Sequence, residues 1–276
     1  MTRFWEPFEF AFFRNGLAVA VLSGALCGLV GVYVVLRNMS YIGHGLSHAI
    51  FGGAAASALV GLNFFAGAGV WGLACGLAIG RVARRRGVAA DAAIGIVTTA
   101  SFAFGIALLG IFGQVRRALD AALFGSILGV TGIDVAVVGG VTVLAAVVVF
   151  FGYRRLLFTT FDPEVAQASG VPTALVDAVL MAILSLSILA TMKVLGVVLV
   201  AATLVIPPVT ARLLTTSFSR LLVLSVGIGA VCGAVGMIAS YHVDVSSGAT
   251  IVLVSAAVFA VVYALTSRSR HSLNLP

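Results

Sequence analysis

An all-α, polytopic transmembrane bundle of eight or nine helices is predicted by three features of the sequence. Apolar runs long enough to cross a bilayer, about 20 residues each, recur from one end of the chain to the other. Charged residues make up 9% of the 276 positions and hydrophobic ones 61%, where a water-soluble domain carries about 25% charged residues. Mean hydropathy is +1.20. No hydrophilic block is large enough to fold alone, so residues 1–276 are expected to form a single transmembrane domain.

The start, "MTRFWEPFEFAFFR", mixes acids with aromatics and does not read as a signal peptide. Residues 1–15 suit an interfacial lead-in. Apolar segments then fall at 16–36, 46–62, 64–80, 92–113, 134–152, 173–191, 195–211, 221–241 and 249–266. A weaker patch at 121–130 suits a re-entrant or short helix. Small residues recur four apart at Gly24/Gly28, Gly72/Gly76/Gly80, Gly125/Gly129 and Gly229/Gly233. Such stripes let helix backbones approach closely where no hydrophobic effect drives association.

Basic residues set the orientation. Arg81, Arg84, Arg85 and Arg86 form one cluster, Arg154 and Arg155 a second, Arg212 and Arg220 a third, Arg268 and Arg270 a fourth. Pairs of crossings separate them, so all four can be cytoplasmic together, with the C-terminus inside. Arg116 and Arg117 then fall outside. Nine crossings require the N-terminus outside and eight require it inside. The net charge of +7 belongs to these loops, and nucleic acid is not an expected partner. Cys27, Cys75 and Cys232 lie in apolar segments without CxxC spacing and read as packed small hydrophobes.

Enzyme chemistry finds no support. There is no HExxH, no readable Ser-His-acid set, and the single lysine, Lys193, stands in no GK[ST] motif. A transporter of this sequence must therefore take energy from a partner or from an ion gradient.

Four stretches carry possible function. In "SYIGHGLSHAIFGG", His44 and His48 lie four apart on one helical face, a good grip for a first-row divalent metal. The alternative is a hydrogen-bonded pair at an interface; the cost of ionisable groups in a bundle favours function. In "FDPEVAQASGVP", Asp162 is a fair N-cap, Pro163 fits the first helical position, Glu164 favours the positive helix end, and Gly170 stops the helix. This is a short capped helix in a loop, either a connector or a docking knob. In "KVLGVVLVAATLVIPPVTARLL", Pro207 and Pro208 are expected to break the helix. Irregular backbone at membrane depth belongs against protein or a cavity. In "YHVDVSSGATIVLV", His242 and Asp244 occupy a turn and could meet a cation at the entrance. Asp177 and Asp91 are weaker candidates.

Together these four stretches resemble the ABC-3 family permeases of bacterial zinc, manganese and iron importers, over essentially the whole chain. The resemblance implies a BtuC-like permease in the bacterial plasma membrane, embedded in lipid and working as a homodimer. It implies separate ABC ATPase subunits that bind ATP, and an extracytoplasmic metal-binding protein. No cofactor is implied in this chain, only a transported divalent metal. The loop 154–172 would be cytoplasmic and carry the coupling helix, with Asp162, Pro163, Glu164 and Gly170 at its core. Family members commonly show Asp-x-x-x-His lining the metal path. His48 matches that His, while His44 replaces the Asp, which tilts the expected cargo toward zinc. Asp244 is a further candidate ligand. The alternatives are a permease for a metal chelate such as a siderophore, haem or cobalamin, a proton-coupled secondary metal carrier, and an intramembrane metalloenzyme.

Overall fold

The structure is a computed structural model; it describes residues 6–83, 85, 87–112 and 129–272. Arg84, Arg86, Arg116, Arg117 and nearly all of the 121–130 patch, with the Gly125 stripe, lie outside those residues. A short 3-10 turn, Glu6–Glu9, leads into α1 (Ala11–Leu36). Then come α2 (Ile42–Leu59), α3 (Phe64–Ala83), α4 (Ala90–Phe112) and α5 (Gly132–Phe161). The short α6 (Pro163–Ala168) precedes α7 (Thr173–Leu195), α8 (Val197–Leu214), α9 (Phe218–Val243) and α10 (Ser247–Ser272). No strand occurs among the described residues.

Seven of these helices are long and apolar enough to cross a membrane, against the eight or nine expected. The shortfall is α2 and α8. Glycine, serine and two histidines dilute α2, and α8, with Pro207 and Pro208 inside it, is a shorter apolar helix among the described residues.

Small residues assemble the centre. A Cβ built on Gly24 would strike the Gly229 carbonyl, one on Gly28 the Ser225 carbonyl, and one on Gly233 the Ala20 carbonyl. That register makes α1 and α9 antiparallel and brings their backbones into contact, the close approach that lipid solvation rewards. Gly76 packs on Ser185 and Gly69 on Leu189, so α3 and α7 also run antiparallel. Helix α2 runs alongside α4 in the same direction: Gly45 meets Ile94 and Thr98, and Gly52 meets Ser101.

One end of the bundle gathers the arginines. Arg37, just past α1, pairs with Asp177 near the start of α7, and Arg81 lines a notch beside Asp177. Phe218, two residues before Arg220, packs its ring on Tyr33, Tyr153 and Phe161. Phe13, near the other end of α1, meets Tyr241 near the end of α9, with ring centroids 5.3 Å apart. The described N-terminal residues, Arg14 among them, therefore lie at the end opposite this arginine cluster. That is the arrangement an odd number of crossings requires.

The expected break at Pro207-Pro208 does not occur. Helix α8 continues through both prolines, and the chain breaks instead at Gly196 (φ 77°, ψ 148°), between α7 and α8. Pro208 has no N–H for the Leu204 carbonyl. That carbonyl faces Gly31 of α1, where no side chain intervenes, and both prolines are buried. Neighbouring helix support holds the segment in line, as it does for prolines in other membrane helices. At Gly196, Ser247 donates its hydroxyl to the Val194 carbonyl (3.1 Å), so the end of α7 is met by the start of α10.

Candidate functional site

Helix α2 begins in a closed corner. The end of α1 is a Schellman cap: Asn38 takes the left-handed conformation (φ 56°), Asn38 N–H donates to Val35 O (3.2 Å), and Met39 N–H to Val34 O (2.9 Å). Ile42 N–H donates back to Met39 O at 2.8 Å, and α2 starts there. His44 therefore lies in the first turn and His48 in the second. Leu204 of α8 abuts Gly43, and Ile94 and Thr98 of α4 abut Gly45.

The structure brings the two histidines together. Their ring centroids are 4.5 Å apart and the planes are near perpendicular (82°). Metal–nitrogen bonds run about 2.0–2.1 Å for zinc, so a nitrogen from each ring can reach one ion. The Tyr41 ring flanks His44 at 5.5 Å and the Phe102 ring flanks His48 at 5.1 Å. Both imidazoles are half-buried. Nδ1 of His48 is buried and has no hydrogen-bond partner among the described residues, an uncommon and costly state that a ligand or water would relieve. Sequence reasoning named neither aromatic neighbour, because both belong to contacts that only folding creates.

Among the described residues no group of three or more His, Cys, Asp and Glu is placed to hold a metal ion. The histidine pair by itself offers two imidazole nitrogens, fewer than the four ligands of a closed metal site. Asp244 does not join the pair. It caps α9 at the end opposite the arginines, in the left-handed conformation (φ 56°) that Asp tolerates. His242 precedes it, edge-on to Tyr241. Asp177 is engaged by Arg37, Nη1 to Oδ1 at 2.7 Å, and Asp91 lies in the first turn of α4.

The capped helix forms as expected. Oδ1 of Asp162 accepts from Val165 N–H at 3.0 Å, Pro163 takes the first position, and Glu164 stands in the first turn. Gly170 (φ 82°) closes a second Schellman cap, with Val171 N–H donating to Ala166 O at 3.0 Å. Every α6 side chain except Ala166 is exposed, so the helix is a preformed knob on the arginine-rich end. The sequence reading missed Arg37. Its isolation between two apolar segments, one turn before the histidine helix, was the available signal.

The fold is thus a polytopic helical membrane bundle that carries a half-buried imidazole pair and a knob projecting beside the arginines. The chain belongs to the ABC 3 transport family, whose profile matches residues 9–266. It is a multi-pass protein of the bacterial plasma membrane. It is similar to the "Manganese transport system membrane protein MntC" of Halalkalibacterium halodurans, 37% identical over 260 residues, which cover 94% of this chain and 89% of that one. It is also similar to the "Probable iron transport system membrane protein" of Haemophilus influenzae, 33% identical over 94% of this chain and 95% of that one. Its fold matches the solved structure of PsaBC from Streptococcus pneumoniae in complex with Fab. There the TM-score is 0.84 at 33% identity, with 95% of each chain covered.

Proposed function

We propose that this chain is the permease subunit of an ATP-driven importer of manganese or iron. The observation that carries the reading is the α2 imidazole pair, with one buried nitrogen left open, in a member of this transport family. Two copies of the chain would enclose the path. Separate ATPase subunits would seat on Asp162, Pro163, Glu164 and Gly170 of the loop 154–172, which faces the cytoplasm by the positive-inside rule. An extracytoplasmic metal-binding protein would deliver the ion at the opposite end, where Asp244 makes an early contact. Residues 6–10, ahead of α1, would lie along that same membrane face.

The zinc preference drawn from two imidazoles yields to manganese or iron, the metals named in the relatives above. The physical reason is the size of the protein's share. With two side-chain nitrogens and no third His, Cys, Asp or Glu grouped with them among the described residues, water and carbonyl oxygen would fill most of the coordination shell. Oxygen-rich shells suit manganese. An incomplete site also lets go, as conduction requires.

The test is uptake of radioactive manganese and iron into vesicles holding the permease, its ATPase and its binding protein. His44→Ala with His48→Ala should abolish uptake while the ATPase still assembles on the complex. Wild-type uptake by that double variant would remove the assigned role of the pair.

A further inference from the structure

We infer that Arg37 is a positioning residue that carries displacement of the α6 loop to the histidine helix, an inference that rests on the transport reading above. The Arg37 guanidinium grips both roots of the loop. On one side Nε donates to Oγ1 of Thr160 (3.1 Å) and Nη2 to Oγ1 of Thr159 (2.9 Å), in the last turn of α5 before Asp162. On the other, Nη1 donates to Oδ1 of Asp177 (2.7 Å), in the second turn of α7. The side chains are 11% and 27% exposed, so water screens the pair only partly.

Behind Arg37 there is no slack. The Schellman cap at Asn38 and Met39 leads within five residues to the first turn of α2, where Gly45 N–H donates to Tyr41 O at 3.0 Å. The Tyr41 ring then rests on His44. A relative shift of the two loop roots must tilt or break the guanidinium fork, and the rigid corner passes that tilt to His44 and His48. Contiguous hydrogen-bonded elements with two discrete arrangements are what mechanical coupling requires. A planar fork serves three acceptors at once; an ammonium on a flexible stem does not hold that geometry.

The test uses the whole complex in vesicles, with manganese uptake and ATP hydrolysis measured on the same sample. Arg37→Gln should leave hydrolysis intact and lower uptake per ATP about tenfold, the scale of a typical coupling energy. Asp177→Asn should act in the same direction, and Arg37→Lys should restore part of the loss. Uptake per ATP equal to wild type in both Arg37→Gln and Asp177→Asn overturns the inference. So does a parallel fall of hydrolysis, uptake and thermal midpoint in both, which would mark a purely structural contact. If wild-type vesicles take up neither manganese nor iron, the transport reading itself fails, a result visible before any variant is measured.

Discussion

The α1–α9 seam and helix α2 are both rich in small residues, yet they use them differently. At the seam, glycines bring backbone onto backbone, and the Ser225 hydroxyl donates to the Gly28 carbonyl at 2.6 Å. Nothing is left for a ligand. On α2, Gly43, Gly45 and Gly53 meet side chains of Leu204, Thr98 and Trp71, and the adjoining imidazoles keep a buried nitrogen unpaired. Small residues therefore close one contact and leave the other chemically open.

The contrast predicts a hierarchy of effects. Gly229→Leu should be the most damaging change, because its side chain has only the α1 backbone to displace. Overpacking of that kind is not relieved by rotamer adjustment. Folded protein recovered in detergent should be nearly absent, and a normal yield would mean that the seam can open. His44→Ala with His48→Ala should do the reverse. Uptake is lost while the thermal midpoint shifts by less than about 4 °C, since no hydrogen bond of Nδ1 of His48 is removed. Collapse of the fold would show that the pair is structural.

Acid sharpens the same point. Protonation takes an imidazole's ligating lone pair and leaves a cation that repels a dication. Uptake should thus fall as the medium is acidified, with ATP hydrolysis by the partner measured as a control. A flat profile from pH 8 to 5.5 would argue against imidazole ligation. Asp244→Asn should give the smallest effect, within about threefold of wild-type uptake, as exposed charges contribute little. A total loss would move the decisive contact to the far end of the bundle.

Some of this was legible in the linear chain because the physics is local. The α6 knob follows from Asp162, Pro163 and Gly170 acting within ten residues of one another, and the structure shows each in its expected place. The histidine pair follows from helical spacing alone. The glycine stripes announced close packing, though their partners were not readable. Pro207 and Pro208 misled the reading, since a local rule for isolated helices gives way when Gly31 of another helix receives the freed carbonyl.

Membrane embedding, helical class, capped ends and two histidines on one helical face were determined by the sequence by itself, because hydropathy, capping and helical spacing act over one or two turns. Only the tertiary structure decided that Arg37 would meet Asp177 across 140 positions, that α8 would run unbroken, and that Nδ1 of His48 would be buried without a partner among the described residues. Those outcomes depend on which surfaces the packed helices present to one another, and no short-range preference encodes that choice.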